Sequence, residues 1–328
     1  MPINLPPQAI EAERRYREAD SIEEKIARLE EYLSLIPKHK GTDHLRADLR
    51  RKLSKLKSAA QTRKRTTRQI SPYHIDREGA GQVVLVGMTN VGKSALVAAL
   101  TNAMPEVSEA PFTTWDPTPG MMEVDYVQIQ LIDTPPLNDD FVDPEMLNLI
   151  RRADLILLVV DLQTHPVQQL DDAIRILEEN RIVALHRKDR YDGERLPTCK
   201  PMLVLVNKFD DEDCWEVYEI FCELLEEDWP LVPVSAMTRR NLNPLKQAVY
   251  EELGIMRIFS KPPGKEPDYT SPFVMQQGGT VEEFARQIHQ DFYQNLKSAR
   301  VWGTGVYDGQ AVGRDHILHE GDVVELRT

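Results

Sequence analysis

Gly87-Met88-Thr89-Asn90-Val91-Gly92-Lys93-Ser94 places two glycines five residues apart, then a lysine and a hydroxyl, and the residues on either side decide its meaning. Upstream lies the apolar, β-rich run Val83 to Val86. Downstream, Leu96 and Leu100 step by four, as on one face of a helix. A strand, a glycine loop and a helix in that order build a cradle for phosphate: glycines let backbone N–H groups close on an oxyanion, and the helix N-terminus adds a positive field. Gly87, Asn90, Val91, Gly92 and Ala95 are expected to line the cradle. Lys93 would bridge β- and γ-oxygens, and Ser94 would offer an oxygen to Mg²⁺.

Further out, the apolar runs Val124 to Ile132, Leu155 to Val160, Met202 to Val206 and Leu231 to Val234 alternate with helical patterns. Strands alternating with helices predict a mainly parallel sheet covered on both faces, an α/β P-loop domain over 79–269. Lys261-Pro262-Pro263-Gly264-Lys265-Glu266-Pro267 is expected to set off a small α+β module over 270–328. In it, Phe273 to Met275 and Asp322 to Arg327 read as strands. Thr280 to Gln290 reads as a helix with a capping box, Thr280 followed three residues later by Glu283.

The N-terminal part, 1–78, has a different character. Ile22, Ile26, Leu29, Leu33 and Ile36 form one helical stripe after the cap candidates Asp20 and Ser21, and Pro37 ends it. Leu45, Leu49, Leu53 and Leu56 form a second stripe, so the pair predicts a helical hairpin. The whole chain has a net charge of −13, yet residues 1–78 hold 18 Lys/Arg against 12 Asp/Glu, a net of +6, and the remainder is strongly acidic. Ten basic residues crowd between Arg46 and Arg68 against the single acid Asp48. A positive strip on an acidic body can find phosphate, as in RNA, even where the molecule as a whole repels it.

Length and composition exclude other classes. The 328 residues, 41% hydrophobic and 28% charged, suit two or three folded modules. No run of 18 apolar residues occurs, and the first seven residues lack the basic start and apolar stretch of a signal peptide, so a cytoplasmic protein without a membrane partner is expected. Cys199, Cys214 and Cys222 are odd in number and lack metal-ligand spacing, which argues against a disulfide framework and a zinc site.

Asn207-Lys208-Phe209-Asp210 follows the run Met202 to Val206. An aspartate there can accept from both N1–H and the exocyclic amine of guanine, groups that adenine does not present, while Asn207 and the Lys208 stem hold the ring. Ser235 and Ala236 follow the next strand, with the Ala236 backbone expected at the guanine O6. An adenine-nucleotide enzyme is disfavoured by Asp210. Asp133, ending the strand at Ile132, is expected to hold Mg²⁺. Thr114 is the better candidate for a second switch oxygen on the metal, with Thr113 as fallback.

These stretches, together with Pro111-Phe112-Thr113-Thr114, Asp133-Thr134-Pro135, the run from Arg257 to Tyr269, Val301-Trp302-Gly303 and Val312-Gly313-Arg314-Asp315-His316, resemble the developmentally regulated GTP-binding proteins, a branch of the Obg superfamily with a C-terminal TGS domain of β-grasp type. The resemblance extends to the basic hairpin. It implies a GTPase switch acting on ribosomes or translation, with GTP/GDP and Mg²⁺ as ligands and an RNA–protein partner engaged by the hairpin and the TGS-like module; it leaves room for a separate protein partner. In related potassium-activated GTPases an asparagine at the position of Asn90 binds K⁺; an asparagine serving only the turn is the other reading.

Two departures stand out. Asn180 to Lys200 is too short for the extra domain that family members insert there. Pro136 stands where the family has glycine; proline has no N–H to donate to a γ-phosphate. Leu137 follows, where many GTPases place a glutamine that orients water. Slow hydrolysis is therefore expected, with a GTP-binding scaffold that scarcely hydrolyses as the alternative.

Overall fold

The computed structural model describes residues 8, 12, 14, 22–36, 49, 52, 71–101, 116–138, 142–191 and 196–328. Thr113, Thr114, the caps Asp20 and Ser21, and the basic strip from Arg46 to Arg68, apart from Leu49 and Lys52, lie outside them. The chain divides into two units, Met1–Ser71 and Pro72–Thr328. In the first, helix α1 (Ile22–Leu35) follows the expected stripe, and Leu29, Leu33 and Ile36 are buried together with Ala12, Tyr32 and Leu49.

The second unit contains two sheets of five or six strands. The larger is built from β1 (Gln82–Val86), β2 (Thr118–Val124), β3 (Val127–Asp133), β4 (Leu155–Asp161), β7 (Met202–Asn207) and β8 (Leu231–Pro233), in the order β2-β3-β1-β4-β7-β8. All neighbours run parallel except β2 against β3. β1 and β4 are buried along their whole length, as strands covered on both faces must be.

Strand parity sorts the core into two layers. Val84, Val86, Ile156, Leu158, Val160, Val204 and Val206 face one way, against helices α3 (Pro144–Arg152), α4 (Pro166–Glu179) and α5 (Cys214–Leu224). Val83, Leu85, Leu155, Leu157, Val159, Leu203 and Leu205 face the other, against α2 (Lys93–Leu100) and α6 (Leu242–Glu252). Among the described residues between α4 and β7 there are a two-stranded pair, β5 (Ile182–Ala184) with β6 (Thr198–Lys200), and a 3-10 turn, Leu185–Arg190. Arg187 and Arg190 pin that turn to Glu227.

Three expectations need correction. The single run Val124 to Ile132 is not one strand. Asp125 and Tyr126 take positive φ, 45° and 69°, and turn the chain into an antiparallel hairpin of β2 and β3. The module boundary expected at 269–270 falls inside the second sheet: β9 (Ile255–Ser260) pairs with β10 (Phe273–Gln276) and runs parallel to β13 (Val323–Arg327), and with β11 (Ser298–Trp302) and β12 (Gln310–Val312) the order is β10-β9-β13-β11-β12. The Pro/Gly-rich run Lys261 to Pro267 is thus a loop within the small module, whose sheet starts at Ile255. The helix expected from Thr280 to Gln290 is two, α7 (Val281–Ile288) and α8 (Gln290–Asn295), because His289 is extended, and its imidazole accepts from Asp291 N–H to cap the second. The expected capping box at Thr280 and Glu283 is present in both directions.

Strands β11 and β12 complete this sheet, and its core gathers Ile258, Phe284, Val301, Leu318 and Val324. Trp302 is a packing residue: Lys261 Nζ lies 5.0 Å from its ring centre, and Gly309 lies so close to the ring that a Cβ there would sit 3.2 Å from it. Arg257 ties the module to the larger domain. Its Nε donates to Glu320 (2.6 Å), its Nη1 lies 3.2 Å from the Asp125 carboxylate in the β2–β3 turn, and Tyr250 on α6 donates to the same Glu320 (2.8 Å).

Candidate functional site

The C-terminal ends of β1, β3, β4 and β7 and the turn after β8 converge on one crevice, on the side where open α/β sheets take ligands. The loop from Gly87 to Gly92 leaves β1 and enters α2, and both glycines are sterically required. A Cβ on Gly87 would collide with the Val159 carbonyl. Gly92 has φ 92°, and a Cβ there would strike the Asn207 amide. Asn90 is exposed at φ 63°, a left-handed conformation that asparagine tolerates well, so its residue type has a backbone reason independent of any cation.

Lys93, the first residue of α2, is buried and folds back over the loop, where Nζ donates to Gly87 O and Met88 O, both at 3.0 Å. Burial lowers its pKa to about 8, with the Asp133 charge pulling the other way. Ser94 and Ala95 are exposed on the first turn of α2. Ser94 Oγ donates to Asp133 Oδ2 at 2.5 Å. Burial raises the Asp133 pKa, opposed by that hydrogen bond and by Lys93. Asp133 Oδ1 is buried and has no hydrogen-bond partner. An unsatisfied carboxylate oxygen beside a serine hydroxyl, at a phosphate cradle, is the donor set that a hard divalent cation takes.

After Asp133 the chain turns inward. Thr134 Oγ1 donates to Leu85 O (2.6 Å), Leu137 N donates to Gly87 O (3.1 Å), and the Leu137 side chain is 1% exposed in the core. Pro136, being a proline, has no N–H to offer there, and the next amide, that of Leu137, is already bonded to the cradle.

At the other end, Asn207 joins the two halves of the crevice: Nδ2 donates to Val91 O (2.8 Å), and Oδ1 accepts from Ala236 N (3.2 Å). Lys208 takes φ 64° and its Nζ lies 2.5 Å from Asp161 Oδ2. Asp210 Oδ1 accepts from Ser235 Oγ (2.6 Å), and Oδ2 accepts from Gln163 Nε2 (3.0 Å). Ser235 is fully buried and its Oγ also accepts from Thr238 N. Every expected site residue among those described, from Gly87 to Ala95 and from Asn207 to Ala236 together with Asp133, thus belongs to this crevice.

Asp161, Gln163 and Thr238 were missed by sequence reasoning. For Asp161 a signal existed: the apolar run Leu155 to Val160 ends in a carboxylate, as the run before Asp133 does. Gln163 and Thr238 carry no local signal.

A phosphate cradle, a metal-ready carboxylate and an Asn-Lys-x-Asp loop on a mainly parallel sheet define a P-loop GTP-binding protein. The comparisons agree: a family model described as 50S ribosome-binding GTPase matches residues 82–208, and the TGS domain model matches 256–328. A GTP-binding protein of Methanocaldococcus jannaschii is 33% identical over 93% of this chain and 92% of its own length. Developmentally-regulated G-protein 3 of Arabidopsis thaliana is 28% identical over 93% and 98%, and developmentally-regulated GTP-binding protein 1 of Xenopus laevis 25% over 92% and 98%. The chain belongs to the developmentally regulated GTP-binding protein family. The alignment with the Methanocaldococcus protein runs over 369 positions, more than this chain has residues, so that relative carries residues absent here. The YchF GTPase of Schizosaccharomyces pombe shares the fold, with a TM-score of 0.53 and 15% identity over 77% of this chain and 99% of its own.

Proposed function

We propose that this protein is a slow, Mg²⁺-dependent GTP hydrolase that works as a cytoplasmic switch on ribosomes or another RNA–protein partner. The observation that carries the reading is Asn207, whose amide bonds the phosphate loop with one atom and the Ala236 turn with the other, so that phosphate and guanine subsites form one rigid crevice. The backbone of Gly87 to Ala95 wraps the phosphates, and Lys93 leaves Gly87 O and Met88 O for the β/γ-oxygens. Asp210 accepts from the guanine N1–H and amine, and the Lys208 stem flanks the base. Ser94, Asp133 and Thr114 would hold Mg²⁺, which when bound neutralises charge developing on the phosphates. Asn90 is the residue that would take K⁺.

Hydrolysis breaks the bond between the γ-phosphorus and the bridging oxygen as water adds, giving GDP and phosphate. The inward turn at Leu137 supplies no side chain to orient that water, and Pro136 supplies no amide, which supports a low rate. The same observations favour a second reading, a GTP-binding scaffold without hydrolysis. Single-turnover cleavage of GTP by the purified chain with Mg²⁺, in potassium and in sodium buffer, decides between them. Slow conversion to GDP, faster in potassium, is expected. No conversion in either buffer replaces the switch with the scaffold.

The basic strip supports an RNA partner through phosphate neutralisation. Deleting residues 1–70 should weaken ribosome association and flatten its dependence on salt. Unchanged affinity and slope would move the anchor to the TGS domain. No helix among the described residues is long and apolar enough to cross a membrane.

A further inference from the structure

We propose that Gln163, in the turn after β4, is a specificity-setting residue of the base site: it orients the Asp210 carboxylate and thereby sharpens discrimination between guanine and other bases. The inference rests on the guanine-nucleotide reading above and deepens it.

A lone aspartate is a loose reader. Rotation about the bond from Cβ to the carboxylate has a broad, roughly two-fold profile, so one tether leaves the plane of the two oxygens poorly defined. Reading N1–H and the exocyclic amine together requires both oxygens in the plane of the base. Here each oxygen has its own donor, Ser235 Oγ on Oδ1 at 2.6 Å and Gln163 Nε2 on Oδ2 at 3.0 Å. Each oxygen keeps acceptor capacity for the base, because an ionised carboxylate offers about four lone-pair directions.

Gln163 is itself held in place by its surroundings. Its backbone N–H donates to Asp161 Oδ1 (3.0 Å), and Leu162 N donates to Asn207 O (3.0 Å), so the turn is tied to the end of β7. The second N–H of its amide reaches Lys208 O at 3.1 Å. Asp161 in turn holds the Lys208 ammonium through Oδ2. The turn therefore secures both base-contacting residues of the Asn-Lys-x-Asp loop, Lys208 through Asp161 and Asp210 through Gln163. Since Gln163 is exposed and touches no base atom in this reading, its effect on selectivity runs through Asp210; it is a positioning residue.

The test measures displacement of a fluorescent guanine nucleotide from the full chain by GDP, inosine diphosphate and ADP, for wild type, Gln163→Ala and Gln163→Glu. Inosine diphosphate keeps N1–H but lacks the exocyclic amine. Gln163→Ala should weaken GDP about three- to tenfold, the size of one hydrogen bond at an exposed site, leave ADP where it was, and weaken inosine diphosphate less than GDP. Gln163→Glu should weaken GDP further, because it sets a second carboxylate against Asp210 Oδ2. A loss shared equally by all three nucleotides in both variants would make Gln163 merely structural and overturn the proposal, as would no loss of GDP binding. A wild type that does not prefer GDP to ADP would sink the guanine reading itself, independently of Gln163.

Discussion

Lys93→Ala should abolish nucleotide-dependent function, lowering GTP affinity on the order of a hundredfold while the protein stays folded. Truncating one partner of a desolvated charge pair costs roughly 2–5 kcal/mol, and 2.8 kcal/mol is already a factor of about a hundred. The apo fold should tolerate the change. Burial already disfavours the Lys93 charge, as its pKa of about 8 records, and of its two carbonyl partners Gly87 O keeps the Leu137 amide. Alanine is also a good residue for the first turn of α2. Thermal unfolding with and without GTP and Mg²⁺ reads both halves of the prediction: wild type should shift upward with nucleotide and Lys93→Ala should not, with similar midpoints when nucleotide is absent. An undiminished shift in the variant would reject the cradle as the phosphate site.

Asp210→Ala should collapse base selectivity. Sites built to hydrogen-bond a ligand group reject analogues that lack it by about 10⁴–10⁵, because buried polar groups would be left unpaired. With the carboxylate gone, the guanine N1–H and amine lose their acceptors, so GDP affinity should fall by roughly two orders of magnitude while ADP affinity holds or improves. The effect on selectivity should exceed that of Gln163→Ala, since Gln163 touches the base only indirectly, by orienting this carboxylate. Ser235 Oγ loses its acceptor too, so a modest drop in stability should accompany the change. Competition by GDP and ADP checks it, and an unchanged ratio of the two would remove Asp210 from base reading.

The sites differ in how much of them could be read in one dimension. The phosphate loop is built from eight consecutive residues, and its meaning depends only on the strand before and the helix after it. The capping box at Thr280 and Glu283 is similarly local, and so is the asparagine-lysine-aspartate loop at the end of β7. The β2–β3 hairpin was hidden because its turn, Asp125-Tyr126, lacks a glycine and merges with the apolar pattern on either side. The affiliation of β9 was hidden because a strand carries no mark of the sheet it will join: β10 follows it only after the Pro/Gly-rich loop, and its parallel partner β13 lies far along the chain, Phe259 pairing with Val323.

By itself the sequence determined the class of fold and marked the glycine loop and the residues proposed to read guanine, because each is a short-range pattern whose backbone geometry is set by glycines, strand ends and helix starts. Only the tertiary structure decided how those residues are aimed. The register that sets Asp161 beside Asn207 brings Gln163 onto Lys208 and Asp210, 45 and 47 residues away along the chain. It also decided that Leu137 points into the core rather than toward the phosphates, since the amide bond to Gly87 O and the apolar layer behind β1 hold it there. Orientation of this kind arises from contacts between strands distant in the chain, and packing supplies it only after the sheet has formed.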